Sequence, residues 1–393
     1  MILEGKNVVV GVTASISAYK ACELVRALQK DGANVRVALT PRAREFVGEM
    51  TFKALTGDLV LWDWRSGPTS LEHIYWARWA DALAIAPASA NTMAKVRFGM
   101  ADNFLTTLAL AYDKPIVFAP AMNTKMFENV ATQENIKALQ ERGHIIVDPE
   151  CGQLACGEEG AGKLADVEDI KTAIMYAIFE KPLKGKKVLI TAGGTREFFD
   201  PIRYISNNSS GKLGHELAKW AYILGAEKVY LVSAPTCERK PYCVERFDVV
   251  STDEMYQKVM ELMDDVDVII MNAAVADFKP QSFSEEKLKK DKQSLTVELQ
   301  PNVDILKELG KKKKEGQVLI GFAAESQDLE KNALEKLNKK NLDAIVANDT
   351  SVFSSDTFHG KIILKDGTTV EIPPVPKDEA AYKLLKLLAD SIL

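Results

Sequence analysis

The chain reads as an α/β protein of two domains, each a parallel sheet with helices on both faces. Three observations predict this. Short β-branched runs alternate with helix-length segments along the whole sequence. The alternation restarts near the middle. And 393 residues are enough for two domains that each bury a core of their own.

The first set of strands is NVVVGV (7–12), NVRVAL (34–39), DALAIA (81–86), KPIVFA (114–119) and HIIV (144–147). The first of these ends in GVTASISAYK and runs into an amphipathic helix with Ala18, Leu24, Val25 and Leu28 on its apolar side. A helical tail, DIKTAIMYAIF, and the segment EKPLKGK near 180–186 then separate two halves, placing domains at 1–182 and 183–393. The second set is KKVLIT (186–191), KVYLVS (228–233), DVDVII (265–270), QVLIGF (317–322) and LDAIVA (342–347). The halves also open alike: LEGKNVVVGVTAS and LKGKKVLITAGGT share Leu-x-Gly-Lys, an apolar strand and a turn of small residues.

Composition narrows the function classes. A hydrophobic content of 47% with 27% charged residues is that of an ordinary globular protein. A net charge of −5 argues against a nucleic-acid binder that works by whole-surface attraction. The one dense basic run, KKKK at 311–314, lies between EL and EG and reads as a solvated helix end or loop. No apolar run reaches the roughly 20 residues that span a bilayer, and MILEGKNVVVG reads as a strand and not a signal peptide. Five scattered cysteines do not make a disulfide framework, so a reducing cytoplasm is expected.

In the first half, Thr13, Ser15 and Ser17 place hydroxyls at a helix N-terminus. Such a position suits either a phosphate or a simple N-cap. The dinucleotide fingerprint is absent, because Thr13 and Ile16 stand where its later glycines belong. PASANTMAKVRFGMADN and PAMNTKMF each follow a strand, at the edge where open α/β sheets bind ligands. Residues 151–163, CGQLACGEEGAGK, raise a separate question: a metal site, a disulfide, a redox switch, or one working thiol.

The order of GVTASISAYK, His73 in LEHIYWARWAD, APASANTMAK, PAMNTKMF and ACGEEGAGK resembles the flavin-dependent phosphopantothenoylcysteine decarboxylases across the whole first half. That resemblance implies a flavodoxin-like or Rossmann-like flavoprotein fold. It implies FMN held by Gly11, Thr13, Ser15, Thr40, Ser89, Ala90, Asn91 and Thr92. It makes His73 the base or thiol-positioning group, Asn123 the carboxylate binder and Cys156 the proton donor. Phe127 and Lys163 stand where family members commonly have Trp and Arg. An N-acylated cysteine has no electron sink for loss of carbon dioxide until its CH₂–SH is oxidised to a thioaldehyde, and a flavin takes and later returns that hydride. A thiol with an ordinary pKa of about 8.5 stays protonated near neutrality, as a donor should. A structural zinc site lacks further ligands near the cysteine pair, and the compartment disfavours a disulfide. Cys156 is therefore taken as the working thiol at the base of a glycine flap, and Cys151 as a small packing residue.

In the second half, a Walker A loop is excluded because Ser206 stands at its first glycine and Leu213 follows Lys212. Gly193, Gly194, Ser209, Ser210 and Gly211 still suit a backbone phosphate cradle. TREFFDPIRYISNNSSG and NAAVADF resemble the phosphopantothenate–cysteine ligases. The resemblance implies a Rossmann-like fold and a CTP site made by Asn272, Ala273, Asp277, Lys287, Val303, Asp304, Ile305, Leu306, Phe322, Lys336 and Lys340. Val303 stands where family members often have Pro. Asn207 matches the asparagine that handles the acyl-cytidylate, and Mg²⁺ would be held largely by phosphate and water.

Together the resemblances imply a bifunctional coenzyme A biosynthesis enzyme. Its substrates would be 4′-phosphopantothenate, L-cysteine and CTP, in a homo-oligomer built from trimers and dimers. Two other readings of the first half stand beside this one. A flavin prenyltransferase or peptidyl-cysteine decarboxylase is disfavoured by the attached ligase motifs. A phosphatase-inhibitory subunit is disfavoured by the joint presence of His73, Asn123 and Cys156.

Overall fold

The computed structural model describes residues 1–57, 59–64, 67–153, 157–289, 295–324, 329–348 and 355–392. The chain divides into two compact units, Met1–Phe179 and Glu180–Leu393. Among the described residues no helix is long and apolar enough to cross a membrane.

In the first unit the strands are β1 (Asn7–Val12), β2 (Asn34–Leu39), β3 (Val60–Leu61), β4 (Ala82–Ala88), β5 (Ile116–Pro120) and β6 (Ile145–Ile146). They form one parallel sheet in the order β3-β2-β1-β4-β5-β6. The helices are α1 (Lys20–Lys30), α2 (Glu49–Thr56), α3 (Glu72–Trp79), α4 (Ala90–Phe98), α5 (Phe104–Ala111), α6 (Thr124–Glu128), α7 (Val130–Glu141) and α8 (Val167–Ile178). β4 is buried at every position, as a strand covered on both faces should be. Its Leu83 and Ile85 share a core with Val9, Phe118, Trp76, Phe104, Leu105 and Leu139. The expected first helix begins later than its pattern suggests: a 3₁₀ turn, Ile16–Tyr19, precedes α1. An antiparallel hairpin, β7 (Glu150–Gln153) with β8 (Glu159–Lys163), lies outside the main sheet.

The second unit repeats the plan. Its strands and helices are β9 (Lys187–Ala192), β10 (Arg196–Phe198), β11 (Tyr204–Ser206), α9 (Lys212–Ile223), β12 (Lys228–Ser233), β13 (Glu245–Asp248), α10 (Thr252–Leu262), β14 (Val268–Met271), β15 (Phe278–Pro280), β16 (Leu299–Pro301), α11 (Ile305–Lys312), β17 (Val318–Ala324), α12 (Leu329–Lys339), β18 (Ala344–Asn348), β19 (Thr357–Leu364), β20 (Thr369–Pro376) and α13 (Lys377–Ile392). The main sheet runs β13-β12-β9-β14-β17-β18-β19-β20, parallel through β18 and antiparallel beyond. β10 with β11, and β15 with β16, make two small antiparallel hairpins. Leu189, Ile269, Leu319 and Ile345 pack against α10, α11 and α12 through Val259, Leu309 and Leu337. On α9 and α13, Trp220 and Tyr382 meet with ring centroids 4.7 Å apart.

The shared opening has the same geometry in both units. Gly5 (φ 77°) and Gly185 (φ 78°) sit in turns closed by Lys6 N–H on Leu3 O and Lys186 N–H on Leu183 O, each 3.0 Å. A positive φ at the third turn position is what selects glycine there. Asp81 and Asp267 then accept the first strand amides, from Asn7 and Lys187, each at 2.8 Å.

Candidate active sites

In the first unit the strand order reverses at β1 and β4, and open α/β sheets bind ligands in the crevice beyond such a reversal. Thr13, Ser15, Thr40 and Ser89 follow the carboxyl ends of β1, β2 and β4 on that edge. Their roles differ. Thr13, 1% exposed, donates its hydroxyl to Pro87 O (2.8 Å) and accepts from Ser89 N–H (2.9 Å), so it ties the two strand ends together. Ser15 and Ser17 share a hydroxyl hydrogen bond of 2.9 Å at the start of the 3₁₀ turn. Ser89 caps α4 by accepting from Thr92 N–H (3.3 Å); Ala90 and exposed Asn91 open that helix, and Thr92 is buried. Thr40 is buried where β2 ends. Gly11 is required for packing: a Cβ there would meet Leu105 Cδ1 at 2.6 Å. Hydroxyls and capped helix starts beyond the strand reversal fit a phosphate-bearing cofactor.

His73 lies in the first turn of α3, half-buried, its ring edge-on to Trp64 at 5.3 Å. Its Nδ1 is buried with no hydrogen-bond partner among the described residues. Asn123 caps α6, accepting from Lys125 N–H (2.8 Å), and its Nδ2 donates to a Glu158 oxygen at 2.7 Å. Met122 N–H donates to Gly162 O (3.0 Å), so β8 docks on the loop after β5. Two glycines allow that approach. A Cβ on Gly160 would lie 2.6 Å from Thr124 Oγ1, and one on Gly162, where φ is 139°, would overlap the Met122 carbonyl. Lys163 pairs with Glu150 across the hairpin at 2.7 Å, and Phe127 packs on the unit's core. Cys156 lies outside the described residues. Cys151 does not pack as expected: it is exposed on β7, because alternation along a peripheral hairpin points its side chain outward.

The second sheet reverses at β9 and β14, and a cavity of about 490 Å³ opens at that edge. It is lined by Asn207 and by every residue expected to contact the nucleotide except Lys287. Asn207 Nδ2 donates to Ala274 O (3.2 Å) and Val275 O (3.0 Å), fixing the loop after β14. Asn272, Ala273 and Asp277 belong to that loop, Val303 to Leu306 to the start of α11, Phe322 to β17, and Lys336 and Lys340 to α12 and its end. Asp304 caps α11 and pairs with Lys340 at 2.9 Å. Burial pushes its carboxyl up, but the Lys340 hydrogen bond and the Lys307 amide outweigh that and hold it below the usual range. Lys287 is exposed on a segment whose next residue, Leu288, donates its N–H to fully buried Asp200 (3.3 Å). Lys212, Asn302, Asn348 and Lys377 also line the cavity and were not foreseen as ligand contacts. Lys377 had no legible signal, since it follows a proline-rich strand far along the chain.

The two units therefore define a doubly wound α/β chain with one ligand edge per sheet. Residues 2–179 match the family described as Flavoprotein, and residues 183–392 match the DNA/pantothenate metabolism flavoprotein C-terminal domain. The chain is 43% identical to the coenzyme A biosynthesis bifunctional protein CoaBC of Bacillus subtilis, over 99% of this chain and 98% of that one. It belongs to that family of bifunctional coenzyme A biosynthesis proteins. Among solved structures, the C-terminal domain of a CoaBC protein is 42% identical (53% of this chain, 97% of that chain, TM-score 0.47). A PPC decarboxylase mutant complexed with pantothenoylaminoethenethiol is 32% identical (43% of this chain, 96% of that chain, TM-score 0.40).

Proposed function

We propose that residues 183–393 join 4′-phosphopantothenate to L-cysteine at the expense of CTP, and that residues 1–182 decarboxylate the product with FMN. The observation that carries the ligase reading is the cavity at the strand reversal. There Asn207, a carboxylate–lysine pair and further lysines face one space large enough for a nucleotide and an acid. A free carboxylate acylates an amine too slowly, so transfer to CMP with loss of pyrophosphate activates it for attack by the cysteine amine. Lys336 and Lys340 stabilise charge on the nucleotide phosphates, and Lys287 joins them from its strap. Mg²⁺ would accompany the nucleotide and would supply further charge stabilisation at its phosphates.

In the first unit Asn123 already holds a carboxylate, that of Glu158, which supports its role toward the substrate carboxylate. No hydrogen bond to Nδ1 among the described residues fixes the His73 tautomer, and the imidazole positions or deprotonates the substrate thiol. Cys156 supplies the proton to the product carbon. FMN, when bound, supplies reversible two-electron oxidation of the substrate. Ser15, Ser89 and Thr92 would hold its phosphate side, Thr13 and Gly11 the scaffold beneath, and Thr40, Ala90 and Asn91 the flanking edge. The protein acts in the cytoplasm as a homo-oligomer built from trimers and dimers.

The test is to incubate the purified chain with 4′-phosphopantothenate, cysteine, CTP and Mg²⁺. Pyrophosphate and carbon dioxide should appear together, from a yellow protein that releases FMN on denaturation. Pyrophosphate without carbon dioxide would overturn the first-unit assignment, and the converse on supplied phosphopantothenoylcysteine the second.

A further inference from the structure

The loop after β14 borders the second unit's cavity, and Ala276 and Asp277 form part of its wall. Past the end of a strand the backbone loses its sheet partners, and buried amides there need other acceptors. Alternate residues of the segment that begins in β9 supply three of them. Ala273 N–H donates to Thr191 Oγ1 (3.1 Å), Ala274 N–H to Gly193 O (2.8 Å) and Ala276 N–H to Thr195 Oγ1 (2.9 Å). The third of these acceptors is itself held from behind. Thr195 is fully buried and does not line the cavity.

Behind it stand Thr252, fully buried in the first turn of α10, and Glu197 of β10, 4% exposed. Thr252 donates its N–H (2.9 Å) and its hydroxyl (2.7 Å) to Glu197 Oε1. With that hydrogen committed, Thr252 Oγ1 accepts from the Thr195 hydroxyl 3.0 Å away. Thr195 Oγ1 in turn keeps a lone pair for Ala276 N–H. The bonds therefore run one way, from the Ala276 amide through two hydroxyls to the carboxylate. Among the described residues no lysine or arginine pairs with Glu197, and the amide end of α10 meets its charge instead.

A buried polar network adds little net stability over apolar groups of the same volume, but a fully satisfied one fixes geometry. Here the geometry fixed is that of the cavity wall. The carbonyl side of the same turn is held by Asn302, whose Nδ2 donates to Ala276 O (3.1 Å) and whose N–H donates to Asp277 O (2.8 Å). Just beyond, Lys279 pairs with Asp253 of α10 at 2.5 Å. Asp277 thus sits between anchors on both sides.

We propose that Thr195, Thr252 and Glu197 are positioning residues: a buried relay that holds the Ala276–Asp277 wall in place for the nucleotide. None of the three lines the cavity. That the wall's ligand is a nucleotide rests on the ligase reading; the relay's hold on the loop does not.

The test uses the full-length chain with Thr195→Val and Thr252→Val, which keep each side chain's shape and remove its hydroxyl. Thr195→Ser and Thr252→Ser keep the hydroxyl. Pyrophosphate release with 4′-phosphopantothenate gives KM for CTP and kcat, and deuterium uptake reports on residues 272–278. Each valine variant should raise KM for CTP about 10-fold, the effect of one buried amide left without its aligned acceptor, with a smaller change in kcat. The serine variants should recover most of it. The two valines combined should do no more than the worse of them alone, because both cut one chain. Both should hasten uptake at 272–278, with which Thr252 shares no hydrogen bond. A merely structural threonine would lower the melting temperature and the active fraction, and leave KM for CTP unmoved. Unchanged KM for CTP in the valine variants overturns the proposal, as do additive effects in the pair. If wild type releases no pyrophosphate, the ligase reading falls and uptake alone judges the relay: faster exchange at 272–278 in both valine variants sustains it, and unchanged exchange overturns it.

Discussion

A single methyl group at residue 162 should disable one activity and spare the other. Gly162 has φ 139°, a region that L side chains rarely adopt, and a Cβ there would overlap the Met122 carbonyl oxygen and lie 3.3 Å from its carbon. The obstacle is backbone, so no rotamer change relieves it. Holding an alanine at such a dihedral costs about 1–3 kcal/mol before any clash. The hairpin must shift, and Met122 N–H then loses Gly162 O, its 3.0 Å acceptor. Because β7 and β8 lie outside the main sheet, the unit's core should survive the shift. The docking that brings Glu158 to Asn123 should not, and a displacement of about 1 Å near reacting groups can cost about 10²-fold in rate. Gly152→Ala is the control, since its Cβ meets only Lys163 Cδ at an ordinary 3.9 Å. The assay is carbon dioxide release from phosphopantothenoylcysteine at matched FMN content, with pyrophosphate release by the same chain as an internal standard. Gly162→Ala should lose about 10²-fold in the first and keep the second. Wild-type decarboxylation by Gly162→Ala, or an equal loss in Gly152→Ala, would refute the argument.

Cys156→Ser should still release carbon dioxide but stall with bleached flavin and an oxidised, decarboxylated product, because a serine hydroxyl is a much weaker acid. Exposed Cys151→Ser should cycle normally; anaerobic flavin absorbance and product mass distinguish the two. Lys287→Gln should cut ligation by about 10²–10³-fold while decarboxylation of supplied phosphopantothenoylcysteine persists, and a joint loss with the fold intact would show that the roles are not separate. Burial pushes the Lys181 ammonium down to about 8, from 10.5. Between those values the unfolded chain keeps a proton that the folded chain has released, so this group makes stability rise with pH across that window. Urea unfolding at pH 7 and pH 10 should show wild type gaining on Lys181→Met as pH rises, and a constant gap would contradict it.

Most of the two sheets was legible because their strands are buried on both faces and so read as continuous apolar runs. What escaped was whatever departs from that pattern. β3 has two residues, β13 reads ERFD, and β20 carries three prolines, which an edge strand tolerates and a central one does not. The repeated opening was visible in the letters because a positive-φ turn position narrows the choice to glycine, and Gly5 and Gly185 agree to within a degree. In the sites, motif residues that follow strands fell together at the sheet edges. Lys377 and Lys212 did not announce themselves, since their place in the cavity depends on how α13 and α9 pack. Cys151 departs from expectation for a related reason: cysteine is commonly a packing residue, but alternation along β7 turns this one to solvent.

The two units show why one plan supports two chemistries. Both reverse strand order at the strand that follows Leu-x-Gly-Lys, and both open their ligand edge there. In the first, that edge carries hydroxyls and an amide: Ser15, Ser89 and Asn123. Those groups suit a resident cofactor with one phosphate, whose charge helix starts and backbone N–H groups can hold, and whose reaction moves electrons within a bound pair. In the second, the cavity presents Lys212, Lys336, Lys340 and Lys377, with Asp304 the carboxylate paired to Lys340. The proposed ligation breaks a triphosphate, and such a reaction must stabilise charge that builds and then leaves, which hydroxyls alone do poorly and cations do well. The sheets are alike because burial constrains them alike. The edges differ because nothing in the fold fixes which side chains follow the last buried residue of each strand.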